Sequence, residues 1–107
     1  MEKFVEQTLL YDFYGELLTE RQRQVYESVV LDDCSLSEVA EELSISRQGV
    51  HDMIRRCNSI LAEYENKLHL VERFVDIRSK IRRISALADD AGIREITAIC
   101  TEVLEEL

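Results

Sequence analysis

The segment SRQGVHDMIRR, residues 46–56, concentrates side chains that can read a nucleic acid. Arg47 carries a forked guanidinium suited to guanine O6 and N7, and Gln48 an amide suited to adenine N6 and N7. His51 follows one helical turn later. Arg55 and Arg56 lie a turn beyond, within reach of phosphates. Ser46 adds a hydroxyl at the start. Asp52 stands apart, because an acid repels phosphate, although it could accept from cytosine N4. A second candidate surface lies in residues 73–83, where Arg73, Arg78, Lys80, Arg82 and Arg83 face only Asp76. Its RSKIRR run reads either as a stripe of phosphate contacts, for RNA or DNA, or as a solvated helix face.

Other chemistry finds little support. No Gly-rich phosphate loop exists, so a nucleotide-hydrolysing enzyme is not expected. Asp32-Asp33, Glu41-Glu42, Asp89-Asp90 and Glu105-Glu106 are adjacent pairs, and helix neighbours about 100° apart do not converge on one ligand. His51 and His69 lack a Cys or carboxylate at metal spacing. Cys34, Cys57 and Cys100 are odd in number and widely spaced, forming neither a CxxC pair nor a disulfide framework. They read as small free core residues of a protein in a reducing cytoplasm. Tyr11, Phe13 and Tyr14 suit either a stacking platform for RNA or contacts in a core or dimer. The expectation is therefore no enzyme, no cofactor, no metal and no small-molecule substrate.

The elements that must position these side chains are helices. The chain has 107 residues, 46% of them hydrophobic, with no Pro and three Gly. Strand-like alternation is absent, and Leu, Glu, Arg and Ile favour an all-α fold. No run reaches the ~18 apolar residues of a membrane span, and MEKFVEQTLL lacks the pattern of a signal peptide. In FVEQTLLYDFYGELL, Phe4, Val5, Leu9, Leu10, Phe13, Tyr14 and Leu17 suit one face of a first helix. Thr19 with Gln22 forms a capping box, and the helix it opens buries Val25, Tyr26, Val29 and Val30, then stops at Asp32-Asp33.

Ser35 with Glu38 opens a short helix with Leu36, Val39, Ala40 and Leu43 inward. Ser44-Ile45-Ser46 makes a tight turn, and Ser46 caps a helix beginning at Arg47. Ala40 is small where the two helices touch. Val39, Leu43, Ile45, Val50 and Met53 line the wedge between them, and Ser44 takes the turn position that favours positive φ. Together these make a helix-turn-helix; its second helix either enters a major groove by its N-terminal end or belongs to a scaffold that merely packs, as in a helical interaction module.

Beyond it, Val50, Ile54, Cys57, Leu61, Tyr64, Leu68, Val71 and Val75 step by fours and threes, a seam of heptad type. A second series, Phe74, Ile77, Ile81, Ile84 and Ala88, is out of phase with the first. A bend, break or change of partner is expected near residues 69–74. Gly92 ends that segment. A last helix over residues 94–107 buries Ile96, Ile99, Cys100, Val103 and Leu104. Residues 1–66 and 67–107 read as a helix-turn-helix domain and a helical extension. The long seam predicts a homodimer, because a chain this short offers few internal partners for it. The net charge of −9 opposes a duplex at long range. A weak DNA binder, or one helped by a partner protein or RNA, fits better than a tight solitary repressor.

LLTERQRQVY, SLSEVAEELSISRQGV and the following helix resemble region 4 of bacterial sigma factors, the part that reads a promoter element. The closer resemblance is to the YlxM family of small bacterial proteins. It is carried by YDFYGELLTERQRQVYE, SLSEVAEELSISRQGVHDMIRR and ILAEYENKLHL, over about residues 11–70. It implies an all-helical helix-turn-helix of sigma-region-4 type with a long C-terminal helical extension. The base-reading positions then fall on Arg47, Gln48, His51 and Asp52. Genes of such proteins tend to sit beside those of the signal recognition particle, which implies a role in that targeting pathway. The partners expected are DNA, or the RNA or protein of that particle. A full sigma factor is excluded, because nothing here resembles the polymerase-binding and promoter-melting segments.

Overall fold

A computed structural model describes residues 2–107, which form six α-helices and no strand. In order these are α1 (Lys3–Tyr14), α2 (Glu20–Tyr26), α3 (Leu36–Leu43), α4 (Arg47–Leu68), α5 (Leu70–Asp90) and α6 (Arg94–Glu106). A 3-10 turn, Gly15–Leu17, leads out of α1, and a widened π turn, Glu27–Leu31, extends α2. The chain divides into two compact units, one ending at His69 and the other Leu70–Leu107. No helix of the described residues is long and apolar enough to cross a membrane.

Local chemistry sets the helix ends of the first unit. The Thr19 hydroxyl accepts from the Gln22 N–H at 3.2 Å, and the Gln22 amide oxygen accepts from the Thr19 N–H at 2.9 Å, a reciprocal capping box. Ser35 caps α3 by accepting from the Glu38 N–H at 3.0 Å. The π turn and the left-handed Asp33 (φ 55°) close α2, with the Cys34 N–H reaching the Ser28 carbonyl at 2.9 Å. The expected break falls at His69, which turns left-handed (φ 57°) and ends α4.

One core joins the helix-turn-helix. Val25, Val39, Ala40 and Val50 are buried together, with Leu43, Ile45, Met53 and Ile54 packed around them. A second layer is aromatic. Tyr11 stacks on Tyr26 at 5.3 Å between ring centres, and Tyr14 on Tyr64 at 6.0 Å. Each buried phenol tip is satisfied, as a buried hydroxyl requires. Tyr26 donates to Asn58 Oδ1 at 2.7 Å, Tyr14 to Glu65 at 2.6 Å, and Tyr11 to Glu27. Gly15 is needed beside this layer: an added Cβ would stand 2.9 Å from the Tyr11 ring.

Three expectations require correction. The buried positions of α1 and its 3-10 turn are Tyr11, Tyr14, Gly15 and Leu18, whereas Phe4, Val5, Phe13 and Leu17 are exposed. Apolar residues occur nearly all round α1, and the tyrosines decide which side packs because their tips find partners inside. Tyr11 and Tyr14 thus belong to the core, which removes them from any stacking platform, while Phe13 is exposed. Of the seam expected from Val50 to Val75, the part from Val50 to Leu61 meets helices of its own chain, since α1, α2 and α3 all pack on α4, whereas Leu68 is exposed. The part up to Leu61 therefore offers no ground for a dimer.

The third correction concerns the second unit, a hairpin of α5 and α6. Gly92 (φ 72°) ends α5, with the Ile93 N–H returning to the Ala88 carbonyl at 2.8 Å and the Gly92 N–H to Asp89 at 3.0 Å. Val71, Ala88 and Cys100 are buried, but Ile77, Ile84, Ile96 and Ile99 are exposed. Two helices can cover only one stripe of each other, and the residues withdrawn include the small Ser85, Ala88, Thr97 and Cys100.

Burial, with smaller contributions from Cys57 and Tyr11, pushes the Tyr26 phenol up to about 12. Because the folded state favours the neutral phenol, this stabilisation is complete below the unfolded value of 10.0 and is lost as pH rises towards about 12. Denaturant midpoints followed with tyrosinate absorbance should fall across that window. Tyr26→Phe should start lower, by about 1 kcal/mol for the lost hydrogen bond, and show a flatter pH dependence. An unchanged slope in the variant would remove Tyr26 as the cause.

Candidate nucleic-acid interface

The turn between α3 and α4 decides where α4 points. Ser44 adopts the left-handed region at φ 56°, ψ 40°. The Ile45 N–H then reaches back to the Ala40 carbonyl at 3.0 Å and the Ser44 N–H to Glu41 at 3.3 Å. Ile45 is thereby turned into the core beside Ala40. Ser46 starts α4 at once, its hydroxyl accepting from the Gly49 N–H at 2.9 Å. An added Cβ at Gly49 would stand 3.2 Å from that hydroxyl oxygen. The glycine therefore keeps the cap uncrowded, which offsets its poor helix propensity.

From this start α4 divides cleanly. Val50 and Cys57 are fully buried, while Ser46, Arg47, Gln48, His51, Asp52, Arg55 and Arg56 are all exposed. The helical repeat brings these candidates together in two parallel rows. Arg47, His51 and Arg55 form one, at successive steps of four. Gln48, Asp52 and Arg56 form the next. Arg47, Gln48 and His51 line an open cleft with Leu36 of α3.

Asp52 organises the second row. Gln48 Nε2 donates to Asp52 Oδ1 at 3.0 Å, and His51 Nδ1 lies 3.8 Å from the same oxygen. Part of the Gln48 donor capacity is thus held by a carboxylate, and reading adenine by both amide groups requires that contact to be shared or exchanged. The neighbouring helix is acidic as well: α3 carries the exposed Glu38, Glu41 and Glu42 and no base. Sequence reasoning took Asp52 as a possible cytosine contact; its grip on Gln48 was legible only as an i, i+4 spacing.

The basic run of α5 does not form one stripe. Arg73 and Lys80 share a side, but Arg82 and Arg83 lie on others, since each residue turns the helix about 100°. Arg78 is half-buried, its guanidinium 4.9 Å above the Phe74 ring. Lys80 pairs with Asp76 at 2.9 Å. Arg73, Arg82 and Arg83 are exposed. Among the described residues no cluster of three or more His, Cys, Asp or Glu is placed to hold a metal ion. Burial pushes the Cys57 thiol up, and burial together with the nearby Glu38, Asp32, Glu42 and Asp33 raises Cys34, so neither is activated as a nucleophile.

Two packed helices joined by a left-handed turn, with a capped second helix and a polar outer end, define a helix-turn-helix protein. Comparison with known sequences agrees. Residues 1–98 match a family described as "Putative helix-turn-helix protein, YlxM / p13 like". The chain is 42% identical over 106 residues to a UPF0122 protein of Thermoanaerobacter sp. (strain X514), covering 99% of this chain and 91% of that one. It is 39% identical over 104 residues to a UPF0122 protein of Shouchella clausii (strain KSM-K16), covering 96% and 95%. The chain belongs to this UPF0122, YlxM-like family.

Ser44 provides a direct test of the turn. A non-Gly residue in the left-handed region costs ~1 kcal/mol, so Ser44→Gly should stabilise the protein by up to about that amount in denaturant unfolding. A loss of stability on this substitution would show that the turn is not left-handed at Ser44.

Proposed function

We propose that this protein is a cytoplasmic nucleic-acid-binding regulator that acts as a pair of chains in the signal-recognition-particle targeting pathway. Arg47, Gln48 and His51 make the base contacts, and Arg55 and Arg56 the phosphate contacts. The observation carrying this reading is the double row of exposed polar side chains on α4, a helix that buries Val50 and Cys57 on its other side. Membership in a helix-turn-helix family supports it. The pathway rests on the YlxM resemblance alone. Pairing doubles the cations offered to a backbone that a chain of net charge −9 otherwise repels.

A second reading is favoured by the acids around the site. With Asp52 within the reading face and Glu38, Glu41 and Glu42 exposed on α3, DNA affinity is weak. The protein then serves as an adaptor, touching the particle's RNA or protein through the helix-turn-helix and the exposed Arg73, Arg82 and Arg83.

Anisotropy titrations of duplex DNA and signal-recognition-particle RNA over a range of salt separate the two. Arg47→Ala/Gln48→Ala should lose sequence preference on DNA, by roughly tenfold or more, since a bidentate base contact contributes ~1–3 kcal/mol. Arg82→Ala/Arg83→Ala should leave DNA preference intact. If the adaptor reading holds, that variant should weaken RNA binding alone and reduce the salt slope by about one to two. Absence of binding to either nucleic acid at low salt would reduce the protein to a helical interaction module.

A further inference from the structure

One carboxylate stands within the rows of side chains that α4 offers to a base edge. Gln48 Nε2 donates to Asp52 Oδ1 at 3.0 Å, and His51 Nδ1 lies 3.8 Å from the same oxygen. Among the described residues no ion pair joins Asp52 to Arg55 or Arg56, although both lie one turn further along the helix. The close partner of this acid is therefore the amide one turn before it. Gln48, His51 and Asp52 are all exposed, so burial does not impose the contact. Gln followed by Asp four residues later is a pairing that isolated helices also sustain.

An unheld glutamine is an ambiguous reader. Its amide has an acceptor end and a donor end, and rotation about the last side-chain bond exchanges them. With its oxygen towards N6 and its nitrogen towards N7 it matches adenine. With both N–H groups turned outward it meets the two acceptors of guanine, N7 and O6. A carboxylate removes this freedom, because it accepts and never donates. Only the nitrogen end can face Asp52, and one of its two N–H groups is used there. One N–H and the oxygen remain, a single donor beside a single acceptor. That pair fits adenine and leaves one acceptor of guanine unmatched. The charge on Asp52 adds to the mismatch by repelling guanine N7 and O6.

We infer, on the nucleic-acid reading of α4 proposed above, that Asp52 is the positioning residue that makes Gln48 select adenine and reject guanine. The carboxylate holds the amide, and the amide touches the base. Affinity and choice are thereby set against each other: removing the acid relieves repulsion of the phosphates and at the same time frees the amide to turn.

The free protein tests the contact, and duplex DNA tests its use. NMR relaxation of the Gln48 side-chain amide should show a more restricted group in the wild-type chain than in Asp52→Ala, and equal mobility overturns the proposal. Selection from randomised duplexes by the wild type gives a preferred duplex, and the position at which Gln48→Ala loses preference is the one Gln48 reads. With adenine exchanged for guanine there, Asp52→Ala should discriminate roughly three- to tenfold less than the wild type, a part of what a bidentate contact provides. The same variant should bind unselected duplexes more tightly. Asp52→Glu, which keeps the acceptor, should retain most of the discrimination. In a Gln48→Ala background, Asp52→Ala should change discrimination no further. Unaltered discrimination in Asp52→Ala overturns the proposal, and so does an equal loss with and without Gln48, since the acid then acts by charge alone. A wild type that prefers a base other than adenine at the Gln48 position also overturns it. In these three cases base reading by Gln48 stands. A wild type that binds no duplex overturns DNA reading and this inference together.

Discussion

Everything on the reading face depends on the chain reversing within three residues between α3 and α4. That reversal is a conflict resolved at Ser44. Its left-handed backbone is unfavourable for a residue with a Cβ, yet it lets Ile45 drop beside Ala40 and lets Ser46 begin a new helix at the next step. The gains are the burial of Ile45 and Val50 and the cap on Gly49, each comparable to or larger than the ~1 kcal/mol cost. With the turn fixed, the phase of α4 follows. Val50 must point inward, so Arg47, Gln48, His51 and Asp52 must point out. No separate device is needed to expose them.

The tyrosine layer extends the same logic along α4. The tyrosines of α1 and α2, Tyr11, Tyr14 and Tyr26, are amphipathic: the rings fill the core and the hydroxyls bond Glu27, Glu65 and Asn58. A hydrogen-bonded phenol is directional where an aliphatic contact is not, so the bonds of Tyr14 to Glu65 and Tyr26 to Asn58 fix the rotation of α4 about its own axis, while that of Tyr11 to Glu27 ties α1 to the π turn. The reading end and the tyrosine layer lie on one continuous helix, Arg47–Leu68. Its rigidity carries the orientation set near Asn58 to the exposed rows at its N-terminal end.

Much of this was legible in the sequence where local chemistry and periodicity agreed. The caps at Thr19, Ser35 and Ser46, the wedge from Val39 to Met53 and the outward set on α4 all combine a local signal with a face that has only one way to pack. Legibility failed where periodicity left a choice. In α1 apolar residues occur on several sides, and counting them could not show that Tyr11, with a partner for its hydroxyl, would be preferred inside over Phe4 or Phe13. The π turn after Tyr26 leaves no pattern of its own, because it shifts the phase by a single residue. On α5 and α6 the isoleucines are spaced as a core would space them, and nothing in one chain's spacing distinguishes an internal seam from an external one. The seam on α4 was internal from Val50 to Leu61, and the apolar series on α5 proved divided, with Ala88 buried, Phe74 and Ile81 half-buried and Ile77 and Ile84 exposed.

The acidic balance of the chain has a structural consequence for recognition. A protein that held duplex DNA mainly through phosphates would gather its bases on one side, and along α5 they are not gathered. Arg78 lies over Phe74, Lys80 pairs with Asp76, and the α3 surface beside the cleft is acidic. Under the proposed function long-range attraction is small, and a partner of α4 is held by short-range fit to Arg47, Gln48 and His51. Contacts of that kind discriminate strongly between partners, because every unmatched donor is left without water or a mate. They also contribute little when the partner is wrong. Under the proposed function the same acids that weaken non-specific binding thus sharpen the difference between a correct partner and the surrounding nucleic acid. On that reading selectivity and low affinity have one electrostatic origin.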